Sequence, residues 1–420
     1  MYHKDEMPNG LTILAEEIKH VRSVALGVWV DVGSRYEGDD ERGISHFIEH
    51  MMFKGTGSRT AKDIAEALDA VGGQLNAFTT KEYTCYFARV LDEHFDLALD
   101  LLGDMLFDSR LDQADVDRER NVILEEIKMY EDTPDELVHD LFAASLWQGH
   151  HLGQPIIGSV DTVQNLSREN LADFYRLHYR SGAMVVSVAG NIDHQIVMEK
   201  IKARFGGEKR VQERRMGPPA PKNGIICRAK DTEQVHLCVG VPGYSLSDQR
   251  IYIAQVINTI LGGGISSRLF QEIREKRGLV YSVYSYHSSY HDAGVFGIYA
   301  GLGKDNVRQA LELVMQEIGE IQKGGVTPEE LVRAKDQLKG NLYLSLENVN
   351  TRMSRLGKSQ LYLGTVIPPA ELVERVAAVT REDIARVAGE LFRPELFALA
   401  SIGPWQDEGE FRAIAGRLAP

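Results

Sequence analysis

Three cysteines in 420 residues, Cys85, Cys227 and Cys238, stand at no C-x-x-C spacing. They predict no disulfide scaffold and read as buried or inert thiols in a reducing compartment. No apolar run approaches the ~18 residues of a membrane span. Positive charge is short as well: 47 Lys and Arg against 61 Asp and Glu leave a net charge of -14, which argues against nucleic acid or an anionic membrane surface as partner. The opening residues 1–6 (MYHKDE) have neither the apolar core of a signal peptide nor the Arg/Ser-rich character of a transit peptide. Gly262-Gly263-Gly264 lacks the Gly-Lys-Ser/Thr ending of a phosphate loop, and no Gly-x-Ser-x-Gly elbow occurs. With 43% hydrophobic and 26% charged residues, the chain is instead a globular one, long enough for two or more cores. The expectation is a soluble, cytoplasmic protein of bacterial type.

The two halves of the sequence echo each other. Residues 24–33 (VALGVWVDVG) resemble 235–243 (VHLCVGVPG), each an alternating strand pattern ending at glycine. Residues 78–106 and 287–318 both run from a strand into a helix, and 112–147 resembles 327–363 as long helical stretches. Residues 168–190 and 381–403 each read as a helix followed by a buried strand. The order of these matches predicts an α+β fold of two homologous domains from an internal duplication, each a mostly antiparallel sheet packed with helices. Residues 214–224 (RRMGPPAPKNG) carry three prolines and two glycines and read as the linker. The domains are then 1–213 and 225–420.

Against this background stands His46-Phe47-Ile48-Glu49-His50. On a helix, two residues four apart lie about 40° apart on one face. Glu49 shares that face, while Ile44, Phe47, Ile48, Met51 and Met52 fall opposite. A metal stripe and a core stripe therefore do not overlap. Zinc takes imidazole nitrogens converging from one side, and hydrolysis needs a base beside the activated water. A third ligand is sought on residues 113–130, which read as a helix ended by Thr133-Pro134. Glu119, Ile123, Glu126 and Tyr130 share one face there, and spacing alone leaves Glu125 and Glu126 both open. Aligning Arg118 with Arg333 sets Glu126 opposite Asn341 and Glu119 opposite Ala334, and the stretch opposite the histidines, 252–258 (YIAQVIN), has no His or Glu. The chemistry belongs to one copy of the repeat.

These residues resemble the pitrilysin/insulinase family of zinc peptidases, whose His-x-x-Glu-His inverts the commoner His-Glu-x-x-His. The similarity is to the branch containing mitochondrial processing peptidase and its short bacterial relatives. It runs through residues 43–56 (GISHFIEHMMFKGT), 76–79 (NAFT), 119–126 (ERNVILEE), 261–264 (LGGG) and 274–281 (REKRGLVY). The resemblance implies one Zn(2+) per chain held by His46, His50 and Glu126, Glu49 as general base, and Glu119 as a supporting carboxylate. It implies an extended peptide or unfolded polypeptide as substrate, added as a strand near Asn76, Ala77 and Phe78, with Arg274 and Tyr281 reaching the substrate and its tetrahedral intermediate. It implies a homodimer or, given a partner subunit, the catalytic chain of a heterodimeric presequence-processing peptidase. A non-catalytic structural subunit of the same architecture is the rival.

Overall fold

The computed structural model describes residues 2–207 and 216–415. Residues 214 and 215 of the expected linker lie outside that set. The chain divides into two compact units.

The first unit comprises Met1–Met129, Pro155–Met216 and Leu344–Val366. Its sheet is built from β1 (Tyr2–Glu6), β2 (Thr12–Glu17), β3 (Ser23–Val30), β4 (Gln74–Thr79), β5 (Thr84–Leu91) and β6 (Met184–Gly190). The strand order is β1-β2-β6-β3-β5-β4, antiparallel throughout except for the β2–β6 pair. In the middle, β3 reads Ser-Val-Ala-Leu-Gly-Val-Trp-Val and is buried at all but its first residue, as a strand covered on both faces must be. One face packs against the helices Ile44–Met51, Phe95–Phe107 and Arg168–His178 in a core that includes Phe47, Ile48, Leu102 and Phe174.

The other face is covered by a helix from far along the chain, Val349–Leu363. Trp29 Nε1–H donates to Ser187 Oγ at 2.8 Å, and Ser187 Oγ–H donates to Met353 O at 2.9 Å. Gly357 lies so close to the Trp29 indole that an added Cβ would meet it at 2.1 Å. This helix therefore fits only because position 357 has no side chain.

The second unit comprises Tyr130–Gln154, Gly217–Tyr343 and Ile367–Pro420. Its strands are β7 (Ile225–Ala229), β8 (Val235–Pro242), β9 (Val280–Ser289), β10 (Gly294–Leu302) and β11 (Ala398–Gly403), in the order β7-β11-β8-β10-β9. Only β7–β11 is parallel. Replacing β7, β11, β8, β10 and β9 by β2, β6, β3, β5 and β4 reproduces the first sheet without its extra β1. The duplication read from the sequence is thus a duplication of topology. Here too one face is covered by a distant helix, Pro134–Leu146, through Leu137, Val138, Phe142 and Leu146.

The units are consequently interleaved along the chain. Residues 130–154 belong to the second and 344–366 to the first, a departure from two contiguous domains meeting at 214–224. The physical reason is that each sheet has a second apolar face, and the helix that buries it comes from the other half of the sequence.

Candidate metal centre

The helix Ile44–Met51 begins at Gly43, whose φ of 93° is left-handed and whose added Cβ would meet Ile157 O at 2.7 Å. No side chain of the cap residue closes this end. Glu37 does so instead: its carboxylate accepts from Gly43 N–H at 2.8 Å and Ser45 N–H at 2.9 Å. A negative group there complements the partial positive charge of the helix N-terminus. Burial nevertheless pushes its pKa up to about 7, against the lowering effect of those two donors and of Lys81. Ile44, Phe47, Ile48, Met51 and Met52 are at most 1% exposed, the core stripe expected from the periodicity.

On the opposite stripe the His46 and His50 rings lie 4.7 Å apart between centroids. The helix Gln113–Glu131 brings Glu126 to both: Oε1 is 3.8 Å from His46 Nε2 and Oε2 is 3.6 Å from His50 Nε2. Ligand atoms of these three residues all lie within 4.8 Å of one another. Glu125, left open by the spacing, is instead exposed and paired with Lys128 at 2.6 Å. Burial, and then the neighbouring His50, lower the His46 pKa to about 3, so its imidazole is neutral, the form that ligates metal. His46 Nδ1 is buried with no hydrogen-bond partner.

Around this trio sit two further carboxylates. Glu119 is 6% exposed, with Oε2 at 3.2 Å from His50 Nδ1 and Oε1 at 2.8 Å from Lys54 Nζ. Glu49 accepts from the Thr79 hydroxyl. Burial raises its pKa, while Thr79 and His50 act in the opposite direction. Lys54 and Thr79 were not singled out from sequence, although both lie inside the quoted runs 43–56 and 76–79; the signal was Lys54 four residues after His50.

Thr79 closes β4, which also carries Asn76, Ala77 and Phe78 and lies at the edge of its sheet among the described strands. Asn76 Oδ1 accepts from Ala77 N–H, and the Phe78 ring meets Trp29, Tyr83 and Phe87 edge-on. In the second unit, Arg274 belongs to a π-helical stretch, Phe270–Glu275, and Tyr281 to β9. The Arg274 guanidinium lies 4.8 Å from the Phe270 ring centroid and 6.0 Å from that of Tyr281, which is 74% exposed. The second unit's counterpart of the histidine helix, Ile251–Gly262, contains no His, Asp or Glu. A second group of metal-ligand type, Glu17, Asp193 and His194, is occupied by its own contacts: Glu17 accepts from His194 N–H and its ring, with the Lys19 ammonium 3.4 Å away.

Residues 12–160 match the family described as insulinase (peptidase family M16), and 165–338 match the peptidase M16 inactive domain. A protein of Bacillus subtilis (strain 168) described as an uncharacterized zinc protease is 45% identical over 397 residues, covering 94% of this chain and 97% of that protein. One of Streptomyces coelicolor with the same description is 44% identical over 413 residues, covering 96% and 89%. Among solved structures, a protease from Helicobacter pylori superposes with a TM-score of 0.90 at 23% identity, covering 96% of this chain and 100% of that one. A peptidase M16 inactive domain from Pseudomonas fluorescens gives 0.89 at 21%, covering 96% and 98%. Matched over both halves and at this identity, the chain belongs to the insulinase family of peptidases, M16.

Proposed function

We propose that the chain is a zinc-dependent endopeptidase that hydrolyses peptide bonds in short or unfolded polypeptides. The observation that carries this reading is the convergence of two imidazoles and Glu126, with Glu49 on the same helix as the histidines. The donor set fits the ion. Carboxylate-to-imidazole separations of 3.6 and 3.8 Å are too long for hydrogen bonds. Tetrahedral zinc with bonds of about 2.0–2.2 Å spans roughly 3.3–3.6 Å between its ligands, so the 3.6 Å separation matches and the 3.8 Å one would close slightly on binding. When bound, zinc supplies Lewis acidity, lowering the pKa of a coordinated water towards ~7 and polarising the scissile carbonyl.

The chain's own residues do the rest. Glu49, held by the Thr79 hydroxyl and desolvated, takes the proton of the attacking water and returns it to the leaving amine. Glu119 accepts Nδ1–H of His50 and so keeps Nε2 as the lone-pair nitrogen. The edge of β4 at Asn76, Ala77 and Phe78 offers backbone groups to an extended substrate, which would lie as an added strand. Arg274 and Tyr281 supply a guanidinium and an exposed phenol as donors to substrate oxygen. Among the described residues the second unit adds no ligand to this group, and the chain is read as a homodimer whose chains each hold one zinc.

The test is hydrolysis of a quenched, unstructured peptide by the purified chain, with Glu49→Gln as control. Glu49→Gln is expected to keep its zinc and lose about 10²–10⁴-fold in kcat. Hydrolysis that survives both Glu49→Gln and a chelator would sink the proposal.

A further inference from the structure

Glu119 is a buried carboxylate with one oxygen engaged by His50 and the other by Lys54. Its side chain is 8% exposed, so the ammonium 2.8 Å away is its counter-charge. Lys54 has no other ion pair among the described residues. Its backbone is tethered on both sides. Lys54 N–H donates to Met51 O at 3.1 Å and Phe53 N–H to His50 O at 3.2 Å, which continues the helix end. Gly55, at φ 134°, then turns the chain, and its carbonyl accepts from Arg110 N–H at 3.2 Å. Thr56 Oγ1–H donates to the buried Asp104 at 2.7 Å. The turn that carries the lysine is therefore fixed, and from it the ammonium reaches Glu119.

We infer that Lys54 is a positioning residue for the metal centre: it holds the Glu119 carboxylate against His50 Nδ1, and through it keeps His50 Nε2 turned towards His46 and Glu126. The inference rests on the zinc reading of the site and extends it by one link, to an ammonium–carboxylate–imidazole relay. Two effects of Lys54 on zinc oppose each other. As a positive charge near a dication it would weaken binding, and its removal would then tighten it. As the support of an outer-shell carboxylate it strengthens binding, and its removal weakens it. The second effect prevails because the charge is already neutralised by Glu119 at 2.8 Å, whereas a buried carboxylate stripped of its partner does not keep its place.

The test is the zinc affinity of the full apo chain, read by competition with a chromophoric chelator. Wild type, Lys54→Met, Lys54→Arg, Glu119→Gln and the double variant Lys54→Met/Glu119→Gln are compared. Lys54→Met should weaken zinc binding about 10–100-fold, the size of losing an outer-shell partner. Lys54→Arg, which keeps the charge, should retain most of the affinity and guards against a folding defect. Glu119→Gln should lose affinity comparably, and adding Lys54→Met to it should change little, because the lysine acts through the carboxylate. Unchanged or tighter binding in Lys54→Met, or full additivity in the double variant, overturns the inference while leaving the zinc reading intact. A wild-type chain that binds no zinc overturns that reading and this inference with it.

Discussion

At the scale of single residues the proposed centre brings ligand atoms of His46, His50 and Glu126 within 4.8 Å of one another, with burial holding the His46 imidazole neutral. On that proposal Glu126→Ala should lower zinc affinity by more than the roughly 10–100-fold lost with an outer-shell partner, read by chelator competition. Thr79→Val should reduce kcat with zinc content unchanged, since the hydroxyl donates to Glu49, the proposed base, and to none of the proposed ligands among the described hydrogen bonds. Glu37 makes a pH-dependent prediction. Its carboxyl titrates near 7 when folded and near the ordinary 4.5 when unfolded, so the folded chain holds a proton that the unfolded chain releases between those values. Stability then falls as pH rises from about 4.5 to 7 and stays lowered above, by an amount on the order of a few kcal/mol. Thermal unfolding of the metal-free chain should show Glu37→Gln gaining on wild type across that interval and level with it below pH 4.5. That His46, Glu49 and His50 lie on one helix was legible because their spacing matches the helical repeat. Glu125 and Glu126 were not separable that way, because both are acidic neighbours and only packing turns one of them inward.

At the scale of elements, the helix that carries the proposed ligands has its start closed by a glycine and the buried Glu37 side chain. Gly43→Ala would force a Cβ onto Ile157 O in a left-handed backbone, and should destabilise the fold by about 1–2 kcal/mol or more, read as a lowered Tm. The amphipathic stripe of Ile44–Met51 and the helix Gln113–Glu131 broken at Thr133-Pro134 follow from local pattern. That β4 is an edge strand does not, because sheet order is set by pairings between segments far apart in sequence. Lys54 and Glu119 are 65 residues apart and meet only once the two helices pack, which is why the relay was invisible in the string of residues.

At the scale of the whole molecule, the repeat predicted two related sheets, and the topologies agree over five strands, with β1 extra in the first. The exchange of the covering helices was not legible. Nothing local in Val349–Leu363 or Pro134–Leu146 says which apolar face each will bury. A chain ending at residue 213 would leave Leu14, Ala25, Trp29, Val185 and Ala189 uncovered, so it should aggregate or stay molten, and a peptide spanning residues 344–366 should restore cooperative unfolding. The most direct measurement of the central claim is a zinc titration of the apo chain with peptide hydrolysis followed in the same samples. The account predicts activity rising linearly to one equivalent of zinc per chain and flat beyond it, with kcat in Glu49→Gln lower by about 10²–10⁴-fold at every zinc level. Activity that ignores zinc, or that stays at the wild-type level in Glu49→Gln, would contradict it.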